Sequence, residues 1–334
     1  MKKNEKKNRR FINVFGLNIF NFIFANIVIG LVISVPLVFY GPFNNIKELV
    51  VTSAMTTLSH QYLATVFLSK AEIDEIMNKN KVEDTVNSNT NEISIQEPTS
   101  DTVSKGDSGI ELKEIKGNSF NGHLLIVNDA KRIQLGLTDN LGRFGMKLDD
   151  IVKKENAVAG INAGGFQDEN GQGNGGVPTG MVVKDGKIVF DDQKEDKVSL
   201  IGFNTDGVLV MGKYSKNDIA RLKIKDAVSF SPFLVINGQG VIKSGNGGWG
   251  IAPRTAIGQR KDGTVLMLVI DGRQIGSLGA TLKDVQEIMI ENGAYNAANL
   301  DGGSSTTMFY DGKIINNPSS KDGVRYIPTS FIIK

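Results

Sequence analysis

Near the end of this 334-residue chain, Asn299-Leu300-Asp301-Gly302-Gly303-Ser304-Ser305-Thr306-Thr307-Met308 delivers a carboxylate into two glycines and then four hydroxyl side chains. Glycine lacks the Cβ that keeps a ligand away from the backbone. Asp301, the amides of Gly302 and Gly303, and the hydroxyls of Ser304 and Ser305 can therefore converge on a polar, oxygen-rich substrate. The same residues would also serve as a polar turn between two strands. Neither histidine of the chain, His60 or His123, lies near a glycine-rich motif. That argues against Ser304 or Ser305 as a nucleophile, against a Ser-His-Asp triad and against a multi-histidine zinc site. With no cysteine, disulfides, thiolate nucleophiles and cysteine-ligated metals are excluded.

Three other stretches join an apolar run to glycine and a polar group. Ala159 to Phe166 ends with Asn162, Gly164 and Gly165; Pro253 to Gly258 carries Arg254; Asp271-Gly272-Arg273 closes the run from Thr264 to Ile270. Polar residues at strand ends beside glycine turns are where rigid sheets hold sites in place. Two motifs are decoys. Gly171-Gln172-Gly173-Asn174-Gly175-Gly176 matches a dinucleotide pattern but leads into Val177-Pro178 rather than a helix, so it reads as a mobile loop near the site. Asp168-Glu169-Asn170 begins like a calcium loop, yet its twelfth position is Thr179. No cofactor is expected; a weak, irregular divalent cation site stays open.

Strands must position these residues. From 110 to 334, Asp-Gly or Asn-Gly pairs at 185, 206, 237, 262 and 311 punctuate apolar runs, as tight hairpins require. The run from Thr264 to Ile270 reads as a strand covered on both faces. Leu148 to Lys154 reads as a short helix. Thr281 to Asn292 reads as a longer one, with Thr281 as cap, Asp284 in the first turn and Gly293 ending it. The expectation is an α+β domain, β-rich with mixed or antiparallel sheet and a few covering helices.

Ahead of this domain, residues 1–18 hold a basic cluster, and no charge occurs from Phe11 to Ile46. Residues 19–41 read as a transmembrane anchor, longer than the apolar core of a cleaved signal peptide and without a convincing cleavage site. The basic flank predicts a cytoplasmic amino terminus and an extracellular C-terminal domain. Residues 46–79 read as a helical stalk with an apolar stripe at Val51, Met55, Leu58, Tyr62 and Val66, open to a partner helix, a second copy or the domain. Residues 80–109, rich in Asn, Ser, Thr, Glu and Asp with almost no aromatic or large apolar cluster, read as a flexible linker. The net charge is +2, of which residues 1–10 carry +5, leaving 2 − 5 = −3 for the remainder. An acidic body is a poor nucleic-acid binder.

Taken in order over residues 120–334, Asn162-Ala163-Gly164-Gly165-Phe166, Arg254-Thr255-Ala256-Ile257-Gly258, Asp271-Gly272, Asn299 to Gly303, Asn316-x-Pro318 and Arg325 resemble the phosphodiester glycosidase family. Its animal member removes N-acetylglucosamine that covers mannose 6-phosphate, and bacterial relatives are often labelled exopolysaccharide biosynthesis proteins. The resemblance implies hydrolysis of a sugar-1-phosphodiester on an envelope or exported glycan, or a glycan-binding or assembly protein that keeps only the fold. Asp301 and Asp271 then become the candidate carboxylates for an oxocarbenium-like transition state. Arg254, with Arg325 second, becomes the phosphate fork. Asn162 and Asn299 would bond sugar hydroxyls; the amides of Gly302 and Gly303 would hold phosphate oxygens; Gly165, Ser304 and Ser305 would line the pocket. Alternatives remain: Asp271 as a turn cap, Arg254 paired to a buried carboxylate, and Asp301 positioning rather than reacting. Ser304 stands where the family usually has a third glycine, which narrows the pocket or changes the sugar accepted.

Overall fold

The structure is a computed structural model that describes residues 2–57, 60–82, 86–95, 109–171, 173–321 and 323–334, with side chains from residue 19 onward except Asn170. Helix α1 (Lys2–Tyr40) contains the 22-residue stretch Ile19–Tyr40, almost wholly exposed and long and apolar enough to cross a membrane.

The single helix expected over 46–79 is instead three: α2 (Asn44–Met55), α3 (Tyr62–Thr65) and α4 (Lys70–Asn80). Threonines end the first. Thr56 and Thr57 turn their hydroxyls back onto the carbonyls of Thr52 and Ala54, and such local bonds compete with helix propagation. Ser69 and Glu72 then start α4 with a reciprocal capping box. The pieces fold against each other and the last turns of α1: Val51, Ala54, Ala64, Leu68, Ile73 and Ile76 share a core with Phe39. Phe39 stacks on Phe67 at 4.6 Å. Of the expected stripe, Val51 is buried, Tyr62 and Val66 face outward, and Leu58 lies outside the described residues.

The larger part follows with β1 (Ile110–Lys116), β2 (Asn121–Val127), β3 (Ile133–Leu137), β4 (Met146–Lys147), α5 (Leu148–Lys154) and β5 (Ala159–Asn162). Hairpins β6 (Met181–Lys184) with β7 (Lys187–Asp191) and β8 (Val198–Asn204) with β9 (Leu209–Tyr214) come next. After α6 (Lys216–Arg221) the chain forms β10 (Ile224–Ser229), β11 (Phe233–Ile236), β12 (Gln239–Gly240), β13 (Arg254–Gln259) and β14 (Val265–Ile270). It closes with α7 (Leu282–Glu291), β15 (Asn296–Asn299), β16 (Met308–Tyr310), β17 (Lys313–Ile314), β18 (Tyr326–Ile327) and β19 (Thr329–Ile333).

The strands make a seven-stranded sheet, β1-β2-β14-β13-β15-β11-β12, two five-stranded sheets, β17-β16-β5-β19-β3 and β7-β6-β10-β8-β9, and the two-stranded pair β18-β4. Adjacent strands pair antiparallel, as between β13 and both its neighbours, so the fold is the expected α+β class. The main core lies where the sheets meet: Leu125, Met267 and Ala298 pack with Ile161 and Phe331 and with Ile201 and Phe203. On the other face of the first sheet, Leu282, Val285 and Met289 of α7 cover Ala256, Leu268 and Ala297. Strand β14 is thus buried on both faces, which explains its unbroken apolar run. At Asp185-Gly186, Asn237-Gly238 and Asp311-Gly312 both residues have positive φ, the geometry of a tight hairpin turn.

Part of the expected flexible linker is docked. Ser88 exchanges hydrogen bonds with Met211, the amide of Lys213 donates to Asn87, and that of Ser94 donates to the Lys261 carbonyl. Residues 86–95 so cover the edge strand β9, blunting an open row of amides and carbonyls. Residues 83–85 and 96–108 lie outside the described part. The helical segment also docks on the loop between β12 and β13. The amide of Asn246 donates to Asn80 at 3.0 Å, that of Ile251 to Ser53 at 2.9 Å, and the Thr56 hydroxyl to the Trp249 carbonyl at 3.2 Å.

Candidate active site

Strand register gathers the motifs. Arg254 opens β13 opposite Ile270 at the end of β14, while β15 runs antiparallel to β13 with Asn299 opposite Ala256. Arg254, Asp271 and Asp301 therefore emerge at the same end of three adjacent strands. From the second sheet, Asn162 at the end of β5 reaches them: its amide nitrogen donates to the Asp301 carbonyl at 2.5 Å. Its oxygen accepts from Thr255 at 2.8 Å and from the Thr307 amide at 3.1 Å.

Asp301 is half-buried, and burial pushes its carboxyl up to about 6, partly offset by a hydrogen bond from Ser305 and the charge of Arg325. The turn beyond it needs its glycines. A Cβ at 302 would lie 2.9 Å from the Pro253 carbonyl, and Gly303 has φ +60°. The amides expected to hold phosphate oxygens are already used: that of Gly303 donates to Pro253 at 2.9 Å, and that of Gly302 serves the Asp301 carboxylate. Arg273, absent from the sequence-derived candidates, lies beside Gly303. A Cβ at 303 would stand 3.4–3.5 Å from its guanidinium nitrogens. Arg273 itself holds a left-handed backbone, φ +60°, uncommon outside glycine. Among the described residues its guanidinium makes no hydrogen bond or ion pair.

On the other side of the turn, Arg325 grips Asp168 through two bonds of 2.7 and 2.9 Å, and also donates to Ser304 at 3.0 Å and to the Gly173 carbonyl at 3.1 Å. This pairing holds the Asp168 carboxyl below its ordinary range. The glycine-rich loop is thereby tied to the Asp301 turn, and the first carboxylate of the calcium-like stretch is spent on an arginine. Nothing short-range in the sequence marks Asp168 for this role, since its partner lies 157 residues away.

Of the other expected site residues, Arg254, Asp271 and Asn162 have structural partners. Arg254 is 3% exposed and donates to the carbonyls of Ala280, Trp249 and Gly250 at 3.0, 2.8 and 2.6 Å, not to a carboxylate. Burial and neighbouring Arg273 press it down to about 9. Asp271 receives the Asn316 side-chain amide at 3.0 Å and the Asn317 backbone amide at 2.9 Å, bracing the turn after β17. Asn162 is 1% exposed and occupied as above, so it braces the site from beneath instead of facing a sugar. Asn299 is equally buried, and among the described residues neither its amide nitrogen nor its oxygen has a partner, as is also true of the Thr306 and Thr307 hydroxyls. Gly165 is buried; a Cβ there would be 3.0 Å from the Phe230 ring, which packs edge-on to Trp249. Around the turn, Arg325 bonds Ser304 and its charge reaches Asp301, while the Arg273 guanidinium lies beside Gly303.

The profile of the family described as phosphodiester glycosidase matches residues 155–334, more than half of the chain. Mouse N-acetylglucosamine-1-phosphodiester alpha-N-acetylglucosaminidase is 25% identical over 230 residues, covering 62% of this chain and 43% of that protein. The bovine enzyme of the same name is 36% identical over 69 residues, covering 21% of this chain and 13% of the enzyme. An SPbeta prophage-derived uncharacterized protein of Bacillus subtilis is 46% identical over 72 residues, covering 22% of this chain and 11% of that protein. The chain thus spans less than half the length of these curated relatives. Among solved structures, the zebrafish N-acetylglucosamine-1-phosphodiester alpha-N-acetylglucosaminidase catalytic domain, auto-inhibited by its pro-peptide, superposes with a TM-score of 0.57 at 24% identity. That match covers 69% of this chain and 85% of the zebrafish one. A putative exported protein from Burkholderia pseudomallei gives 0.50 at 17% identity, over 64% and 74% of the two chains. These structural matches support the fold.

Proposed function

Because the chain belongs to the phosphodiester glycosidase family, we propose that it is a membrane-anchored, outward-facing hydrolase of sugar-1-phosphodiesters, of the N-acetylglucosamine type, on envelope or exported glycans. The reaction domain is 110–334, and Ile19–Tyr40 is the anchor. In the reaction the bond from the anomeric carbon to the phosphate oxygen breaks, a water oxygen adds to that carbon, and a phosphomonoester departs. Asp301, ionised above about pH 6, faces the positive charge that develops on the sugar. A departing phosphate is a weak base and needs counter-charge more than a proton. Arg273 supplies that charge above Gly303, with Arg325 held across the turn by Asp168.

The observation that carries this reading is the Asp301 carboxyl, raised toward neutrality at a glycine turn beside which the Arg273 guanidinium has no partner among the described residues. A second reading, glycan binding or assembly without turnover, draws on the structural use of Arg254 and Asp271. The test is release of free sugar from UDP-N-acetylglucosamine and α-sugar-1-phosphodiesters by the full chain and by Asp301→Asn. Release by the wild type alone establishes the hydrolase; saturable binding without release establishes the second reading and overturns the first.

A further inference from the structure

The segment from Tyr62 to Leu68, of which α3 is the first part, presents two unlike faces. Ala64, Phe67 and Leu68 turn inward to the core shared with Phe39. Tyr62, Leu63 and Val66, at spacings of one and three, are 56%, 43% and 69% exposed. Phe43 and Ile46, at the start of α2, are likewise 44% and 47% exposed. Five large apolar side chains left in water are costly to a segment this small.

Their position says what covers them. The ring of Phe39 stacks on Phe67, and the Tyr40 hydroxyl donates to the Phe67 carbonyl at 2.5 Å, so α3 lies against the final turn of the apolar helix α1. Leu37 and Tyr40 of that turn are themselves exposed, as are Phe43 just beyond it and Val66 beside Phe67. Tyrosines at such a level match the preference of amphipathic rings for the boundary between headgroups and acyl chains.

We infer that α3 and the start of α2 lie in the interface of the bilayer that α1 crosses, with Tyr62, Leu63 and Val66 dipping among the lipids as a second attachment. This rests on α1 being a membrane span. Since α2 and α4 are bonded to the loop before β13, the attachment would also hold the catalytic edge at one height above the membrane. The substrate class that fits is a sugar phosphodiester presented close to the lipid surface.

The chain has no cysteine, so single-cysteine variants carry a spin label without background. Ile29→Cys, Leu63→Cys, Val66→Cys and Glu75→Cys would be labelled in the full-length protein in phosphatidylethanolamine–phosphatidylglycerol vesicles. Collisions with oxygen and with a water-soluble nickel chelate then read depth. The expected order of oxygen preference is 29, then 63 and 66, then 75 in water. Labels at 63 and 66 that behave like 75 while 29 is in hydrocarbon overturn the interfacial attachment and leave the anchor standing. An aqueous signal at 29 overturns the anchor and the attachment with it.

Discussion

Two arginines flank the Asp301 turn and do different work. Arg254, on the side of the β12–β13 loop, is sealed in and donates to the backbone carbonyls of Ala280, Trp249 and Gly250. Arg325, on the side of the glycine-rich loop, bonds side chains, Asp168 and Ser304, as well as the Gly173 carbonyl. A guanidinium saturated by fixed carbonyls is a structural clamp. One held by a carboxylate and a hydroxyl beside an open turn can exchange partners with a ligand. Both arginines read alike in the sequence, and only their partners separate them.

The largest expected effect tests the turn between them. Asp301→Asn should lower turnover by about 10²–10⁴ with an unchanged circular dichroism spectrum; activity within a few-fold of wild type would remove Asp301 from the chemistry. Next, Arg254→Met removes three charge-assisted hydrogen bonds, leaving the Gly250 carbonyl without a donor among the described residues, and should cost about 3 kcal/mol or more in a denaturant titration, whereas Arg325→Met should cost about 1 kcal/mol yet raise KM. Equal stability losses would erase the distinction between clamp and ligand-facing group.

A smaller effect follows from the raised Asp301 carboxyl. Its proton is held more tightly in the folded than in the unfolded chain, so the stability contributed by this group is present below about pH 4. It is lost, on the order of 3 kcal/mol, as pH rises from about 4 through about 6. Turnover should climb over the same interval as the carboxylate forms, and Asp301→Asn should flatten both curves. The smallest effect is at Ser304: replacing it with glycine removes its hydrogen bond with Arg325 and should change stability by less than about 1 kcal/mol while altering KM for different sugars.

What could be read from the sequence was local. The capping box of Thr281 and Asp284, the paired left-handed turns at 185, 237 and 311, and the buried run of β14 each depend on residues within a few positions of one another. The order of the site motifs was legible because antiparallel strands bring their ends together. The break after Met55 was hidden, since the apolar spacing of a straight helix and of folded-back pieces is the same until the threonines choose backbone partners. Asp168 and Arg325 meet across 157 residues, and the place of Arg273 depends on how closely Gly303 approaches it.

The Asn162 amide joins Thr255 and the Asp301 carbonyl of one sheet edge to Thr307, across gaps of 93, 139 and 145 residues. Contacts of such sequence separation form slowly, because the chain must close long loops before they contribute. No fragment that stops short of Asp301 can assemble this edge, since Asp301 and Thr307 follow Asn162 by 139 and 145 residues. Activity should therefore arise late in folding and in a single step, which makes it a kinetic reporter of sheet docking.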